Sequence, residues 1–244
     1  MLNEKEKRTI YFFSSLIPDW FGDWSIQDET FLKIVDAGIF LPLRGFDKDG
    51  RFSMLMRLGK VIPGEMCPEN CWKLVIMMFN MVVEGNRQAQ TKGMSVIIDL
   101  DNMNSSHAGF VNPNLIKKLL IVFQEAYPME NDLLIGLSCV RFLNMPKVLE
   151  KVVQLALSFL DKKYKKILKM QDKSNSTLVE DFGTDILPPE YGGTNQTCDE
   201  LTTFWKDEVP KHSTWFNEQS QYKTDESLRN GKSKLHYLIS CSIM

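Results

Sequence analysis

The chain is poor in the residue types that carry chemistry. Its three histidines, His107, His212 and His236, sit in no Cys/His/Asp cluster of metal-ligand spacing. A phosphate-binding P-loop, Gly-x-Ser-x-Gly and Gly-x-Gly-x-x-Gly are all missing, so the common nucleotide and serine-nucleophile readings fall away. The five cysteines, Cys67, Cys71, Cys139, Cys198 and Cys241, are odd in number and irregular in spacing. That excludes a disulfide framework at this length and points to a reducing compartment. Charge of one sign is also lacking: 29 basic against 31 acidic residues leave a net charge of -2. A whole-chain grip on nucleic acid is therefore not expected. No apolar stretch follows the charged segment Met1–Arg8, and no apolar run reaches the roughly 18 residues that span a bilayer. The expectation is a cytoplasmic protein.

What is present is bulk. The 244 residues are 43% hydrophobic and 25% charged, the balance of an ordinary globular protein. They include 15 Phe and 13 Met, soft apolar volume that fills a large core or lines a cavity for something apolar.

Along the chain, residues 4–16 read as a short helix that stops at Pro18. Asp28 suits the cap of a second helix carrying Phe31, Leu32 and Val35 and ending at Gly38. Asp47-Lys48-Asp49-Gly50 is a turn between the apolar stretches 40–43 and 52–58, which predicts a hairpin. Residues 69–84 are apolar all round the helical wheel and are expected to be buried on most sides. Met94-Ser95-Val96-Ile97-Ile98-Asp99-Leu100 has the form of a parallel strand covered on both faces. Asn112-Pro113 opens a helix running to about Tyr127, Leu133–Leu143 is a strand, and Pro146 opens another helix. A short strand at 166–170, a helix at 176–182 and a turn at 187–193 follow. From Pro210 the chain turns polar and reads as a tail. Alternating helices and strands predict an α/β fold with a mainly parallel sheet.

Two places invite an enzymatic reading. Asp99 and Asp101 end a strand, where ligands of α/β sheets bind, but they equally suit capping the following turn. His107 lies in a loop and suits a structural hydrogen bond. No nucleophile–base pair is evident, so the chain is not expected to be an enzyme, and no cofactor or metal is expected.

Three ordered segments carry a resemblance. One is Gly93-Met-Ser-Val-Ile-Ile-Asp99, then Ser106-His107, then Pro113 with Lys117-Lys118. Another is Tyr127-Pro128, then Asn144-Met145-Pro146 and a helix ending Ser158-Phe159-Leu160-Asp161-Lys162-Lys163. The last is Leu187-Pro-Pro-Glu-Tyr-Gly-Gly193. Leu41-Pro42-Leu43, Asp49-Gly50-Arg51, Arg57-Leu58-Gly59 and Gln88-Ala-Gln90 support them, and Asp225–Lys232 is similar to the tail of insect-type members. Over residues 8–234 the chain resembles the CRAL-TRIO lipid-binding family, of the alpha-tocopherol transfer protein and cellular retinaldehyde-binding protein kind.

The resemblance implies a mostly parallel sheet flooring an apolar pocket, covered by helices, with a short N-terminal helical segment. It divides the chain into a remnant helical domain (1–36), a lipid-binding domain (37–209) and a polar tail (210–244). It implies non-covalent carriage of a retinoid, tocopherol or similar lipid between membranes, with ligand-contact positions at Ile76, Met77, Asn80, Met94, Val96, Ile98, Val122, Phe123, Val140 and Phe142. Ordinary core packing fits these residues equally well. Asn80, polar in so apolar a helix, needs a partner in the ligand or the backbone. The helix from Pro146 matches the family's gate, and Val148, Val152, Leu155, Ala156 and Phe159 would cover the ligand when it is shut. The lysines after it, Lys162, Lys163, Lys165, Lys166 and Lys169, fall where relatives contact phosphoinositide, although a basic run also suits a plain solvated face. The implied partners are thus a lipid and a phosphoinositide-containing membrane surface, met transiently and peripherally by a monomer, with no nucleic acid.

Three departures from the family stand out. On that reading the family's upstream helices would be missing, about six residues would be added around Asn131–Ser138, and the end from Lys234 to Met244 would be altered. Cys241-Ser242-Ile243-Met244 fits a prenylation box, though chance at an altered terminus fits it better. The competing reading is a non-transferring phosphoinositide-sensing or partner-regulating module.

Overall fold

The computed structural model describes Trp20 and residues 29–122, 129–130, 133–134, 137–158, 162–171 and 175–221. The predicted helix over residues 4–16 and the proposed lipidation site Cys241 lie outside them. Helix α1 (Glu29–Asp36) ends at Gly38, whose φ of 60° is left-handed and whose missing side chain makes room for Arg57 and Thr202. Strands β1 (Phe40–Phe46) and β2 (Phe52–Arg57) pair antiparallel, as the turn signal predicts. Asp47 holds that turn, accepting from the N–H groups of Asp49 at 3.0 Å and Arg51 at 2.9 Å.

Helix α2 (Pro68–Gly85) starts with Pro in its first turn, and α3 (Arg87–Lys92) is capped by the Asn86 side chain. Strand β3 (Met94–Asp99) follows, then a 3-10 segment at Ser105–Val111 and helix α4 (Pro113–Ile121), capped by Asn112. A small hairpin pairs β4 (Met129–Glu130) with β5 (Leu133–Leu134) ahead of strand β6 (Leu137–Leu143). Helix α5 (Lys147–Ser158), the short α6 (Lys162–Lys165), strand β7 (Leu168–Gln171) and helix α7 (Asn175–Phe182) come next. Helices α8 (Cys198–Glu208) and α9 (Ser213–Gln221) complete the described chain.

The sheet order is β1-β2-β3-β6-β7, with every pair parallel except β1–β2. This is the expected α/β arrangement. Each parallel step is bridged by helices, as a crossover requires. Two expectations need correction, and one helix was missed. The strand predicted over Leu133–Leu143 is split, because Leu133 and Leu134 turn back onto β4 instead of extending β6. A helix was not anticipated at Cys198–Glu208, although Thr197 and Glu200 form a reciprocal capping box there. The described part of the supposed tail after Pro210 is also structured: α9 buries Phe216 completely.

Candidate functional site: an apolar chamber over the sheet

Side chains alternate across a strand, so the register fixes which residues share a face. Met54, Val96, Val140 and Leu168 are aligned in one row across β2, β3, β6 and β7. Phe40, Met56, Ile98 and Phe142 form the next row, starting from β1. All eight border a cavity of about 160 Å³. Its roof comes from Trp72, Val75 and Phe79 of α2, Phe110 of the 3-10 segment, Ile116 and Leu119 of α4, and Leu149, Val153 and Leu157 of α5. Leu58, Leu100 and Leu137 complete the lining. Every one of these side chains is aliphatic, aromatic or a thioether.

A second, open groove of about 390 Å³ lies beside the chamber, lined by Gln154, Ser158, Lys165 and Met170. Phe142, Leu157 and Leu168 border both spaces and form the wall between them.

Of the residues singled out in the sequence, Val96, Ile98, Val140 and Phe142 line the chamber. Ile76, Met77, Met94 and Val122 are buried but are not among its lining residues. On α2 the lining face is Trp72, Val75 and Phe79, at spacings of three and four. A helix that is apolar all round does not reveal which of its faces meets a cavity. Asn80 is likewise not in the lining, and its Nδ2 donates to the Ile76 carbonyl at 2.8 Å, one turn back on its own helix. On α5 the inward stripe is displaced by one residue from the expected one. Leu149, Val153 and Leu157 cover the chamber, while Val148 is 63% and Leu155 50% exposed. Val152 is half-buried against the core. Phe123, Phe159 and the side chains of Ala156 and Lys163 lie outside what the structure describes. Lys162, Lys165, Lys166 and Lys169 are all exposed. Lys165 borders the open groove, whereas Lys169 is in register with Arg141, on the opposite side of the sheet from the chamber rows.

The residues that invited an enzymatic reading are engaged elsewhere. Asp99 accepts from the Tyr191 hydroxyl at 2.6 Å, from Asn144 Nδ2 at 2.8 Å and from the Asp101 N–H at 3.0 Å. It thereby ties the ends of β3 and β6 to the 187–193 turn. Burial and the Asp99 carboxylate push the Tyr191 phenol well above its usual range, so it stays a donor. His107 accepts at Nδ1 from the Asn104 N–H at 3.2 Å, which leaves Nε2–H to donate to the Val61 carbonyl at 3.3 Å. Burial also pushes the Cys71 and Cys198 thiols up to about 12, which makes them inert at neutral pH. Among the described residues no cluster of three or more His, Cys, Asp or Glu side chains suits a metal, and no helix is long and apolar enough to cross a membrane.

Two glycines quoted for the resemblance mark close crossings. A Cβ on Gly59 would collide with the Asp101 carbonyl, and one on Gly193 with the Leu187 carbonyl.

Comparison with known proteins gives the following matches. Residues 36–193 match the family described as CRAL/TRIO domain. The Alpha-tocopherol transfer protein-like protein of Mus musculus is 22% identical over 181 residues, covering 74% of this chain and 50% of that protein. Clavesin-2 of Mus musculus is 22% identical over 207 residues, covering 85% of this chain and 60% of that protein. The chain thus spans about half the length of the curated relatives it matches. Among solved structures, the crystal structure of Sfh5 aligns at 17% identity with a TM-score of 0.49, covering 73% of this chain and 66% of that one.

Proposed function

The chain belongs to the CRAL/TRIO domain family, and from that premise we propose that it binds a small hydrophobic ligand, a retinoid, tocopherol or similar lipid, in the chamber and carries it between membranes. The observation that carries this reading is the unbroken apolar lining of a 160 Å³ cavity enclosed between the sheet and three helices. Left unfilled, a void of that volume forgoes on the order of 4 kcal/mol of packing. An apolar guest recovers that loss. The printed name of the Alpha-tocopherol transfer protein-like relative supports the same class of cargo.

Size supports a moving lid. The 160 Å³ chamber is smaller than the roughly 300–1,000 Å³ of typical ligand pockets. A lipid therefore needs α5 to swing outward. That motion would remove Leu157 from the shared wall and join the chamber to the outer groove. The same helix already presents Val148 and Leu155 to solvent. Lys165 borders the open groove with Gln154 and Ser158 of that helix, and Lys162 and Lys166 are exposed close to it in sequence; each is worth about 1 kcal/mol near an anionic leaflet. We read this corner as the side that meets a phosphoinositide-containing membrane.

Solvent extraction of the purified protein tests the proposal. One lipid per chain, identified by mass spectrometry, is the expected result. A protein that stays empty when offered retinoids, tocopherols and cell lipid extract, yet still binds vesicles, overturns it in favour of a phosphoinositide-sensing module. Vesicle flotation with Lys165→Glu/Lys166→Glu tests the docking side, where binding that survives the double change excludes it.

A further inference from the structure

We propose that residues 235–241 add a sixth strand to the sheet along the free edge of β7 and cover the groove beside it. The contact is made within one chain. It goes beyond the carrier reading and does not depend on it.

The edge is open. β7 ends the strand order, and no described strand lies on its outer side. The Val140 N–H donates to the Ile167 carbonyl at 2.9 Å, so the main-chain groups of Ile167 face inward, toward β6. Successive residues of a strand turn these groups to opposite sides, so the N–H and C=O groups of Leu168 and Met170 face outward. Two donors and two acceptors in a row are a template for another strand. The side chains of the same two residues border the open groove, and Met170 is 48% exposed.

The tail carries a matching pattern. Residues 235–244 read Leu-His-Tyr-Leu-Ile-Ser-Cys-Ser-Ile-Met, with no Lys, Arg, Asp, Glu, Pro or Gly. Such a run is an aggregation hazard when left exposed, and pairing with an edge of its own sheet removes the hazard. Leu235, Tyr237, Ile239 and Cys241 fall on one face at a period of two, and His236, Leu238 and Ser240 on the other. Beside β7, the first face continues the groove side of Leu168 and Met170. The second continues the side of Lys169 and brings no like charge to it.

The tail can reach. Trp205 of α8 donates to the Pro42 carbonyl at 2.8 Å, which ties α8 to β1 at the opposite edge. A strand outside β7 lies five strand spacings from β1, about 24 Å. The polar linker, residues 222–234, spans up to about 45 Å when extended. Even an α9 pointing away from β7, about 14 Å long, leaves that edge within range. A second copy of the chain is the poorer occupant. The edge is four residues long and carries the exposed Lys169, a residue type that natural edges use against pairing between chains. A tethered strand is instead present at an effective concentration on the order of millimolar.

Amide hydrogen exchange on the full chain, read residue by residue by NMR, tests this. The Leu168 and Met170 N–H groups are expected to exchange at least about tenfold more slowly in the full chain than in one stopped after Lys234. Tyr237→Glu, on the groove face, is expected to free both amides, whereas Ser240→Glu, on the other face, is expected to leave them protected. Fast exchange of both amides in the wild-type chain, or protection that survives removal of residues 235–244, overturns the proposal. Equal effects of the two substitutions overturn the face assignment, and the proposal with it. Protection that falls on tenfold dilution, with a matching loss of dimer in sedimentation, assigns the edge to a second copy and overturns it as well. So does protection that appears only when phosphatidylcholine vesicles are added, which assigns the edge to a lipid surface. The wild-type, dilution and point-variant readings keep the test decisive if the shortened chain does not fold. Lipid extraction from the same protein judges the carrier reading separately.

Discussion

The two faces of the sheet use the same strands and opposite chemistry. On the chamber face, Met54, Val96 and Val140 offer nothing but apolar surface. One residue earlier in each strand, Ser53, Ser95 and Cys139 point the other way, and the Ser53 and Ser95 hydroxyls bond each other at 2.9 Å. Further along that face, Arg141 Nε meets Asp181 of α7 at 2.6 Å, and Asp99 gathers Tyr191, Asn144 and the Asp101 N–H. On the back, directional bonds add to the packing of the fully buried Leu55 and Ile97, whereas the front has non-directional contacts only. Hydrogen bonds and ion pairs define one geometry, whereas apolar contacts tolerate a range of shapes at similar cost. A sheet fixed on its back can present a front that adapts to an apolar guest of the kind proposed.

The sharpest way to break this comparison is to attack the back. Arg141 keeps 7% of its side chain exposed and Asp181 keeps 26%. Removing the carboxylate strands the buried guanidinium, in register with Lys169 across the strand pair. Asp181→Ala is therefore expected to cost about 3–5 kcal/mol in urea unfolding, the usual penalty for orphaning a buried charge. Arg141→Met leaves only the better-solvated Asp181 and is expected to cost less. The reverse order would show that the ion pair does not anchor this face.

Adjacent residues of one strand give the next test. Ile97 is fully buried on the back, and Val96 borders the chamber. Ile97→Phe overpacks a filled region and is expected to lose about 1–3 kcal/mol. Val96→Phe grows into the void and is expected to change stability by less than about 1 kcal/mol. The same Val96→Phe chain is expected to lose its extractable lipid. Equal destabilisation by both changes would mean that the front is packed as tightly as the back.

The same contrast explains what could be read from the sequence. Strand faces were more legible, because a period of two leaves little freedom once the strand is placed: Val96 and Ile98, then Val140 and Phe142, line the chamber, although Met94, of the same alternation in β3, is not in its lining. Helix faces were not. α2 is apolar on every side, so nothing in its pattern favours Trp72, Val75 and Phe79 over Ile76 and Met77. On α5 two stripes compete, Val148-Val152-Leu155 and Leu149-Val153-Leu157, and periodicity alone cannot choose between neighbours one residue apart. α8 and α9 escaped notice because polar residues outnumber the few that anchor them, Leu201, Trp205 and Phe216.

The smallest expected effect is also the most specific. Ser53→Ala leaves the Ser95 hydroxyl without its 2.9 Å partner on a face closed to bulk solvent, since both residues are 0% exposed. An unsatisfied buried hydroxyl costs about 1 kcal/mol, whereas removing both partners of such a pair can be nearly neutral. The double variant Ser53→Ala/Ser95→Ala is therefore expected to be more stable than either single one. The coupling read from the four unfolding curves isolates the hydroxyl pair from the packing around it. Additive single effects would mean that each serine is satisfied independently of the other. The directional bonds of the back would then be those of Arg141, Asp181 and Asp99. A positive coupling, with lipid loading unchanged in all four chains, would show that the two faces are energetically separate although they share every strand.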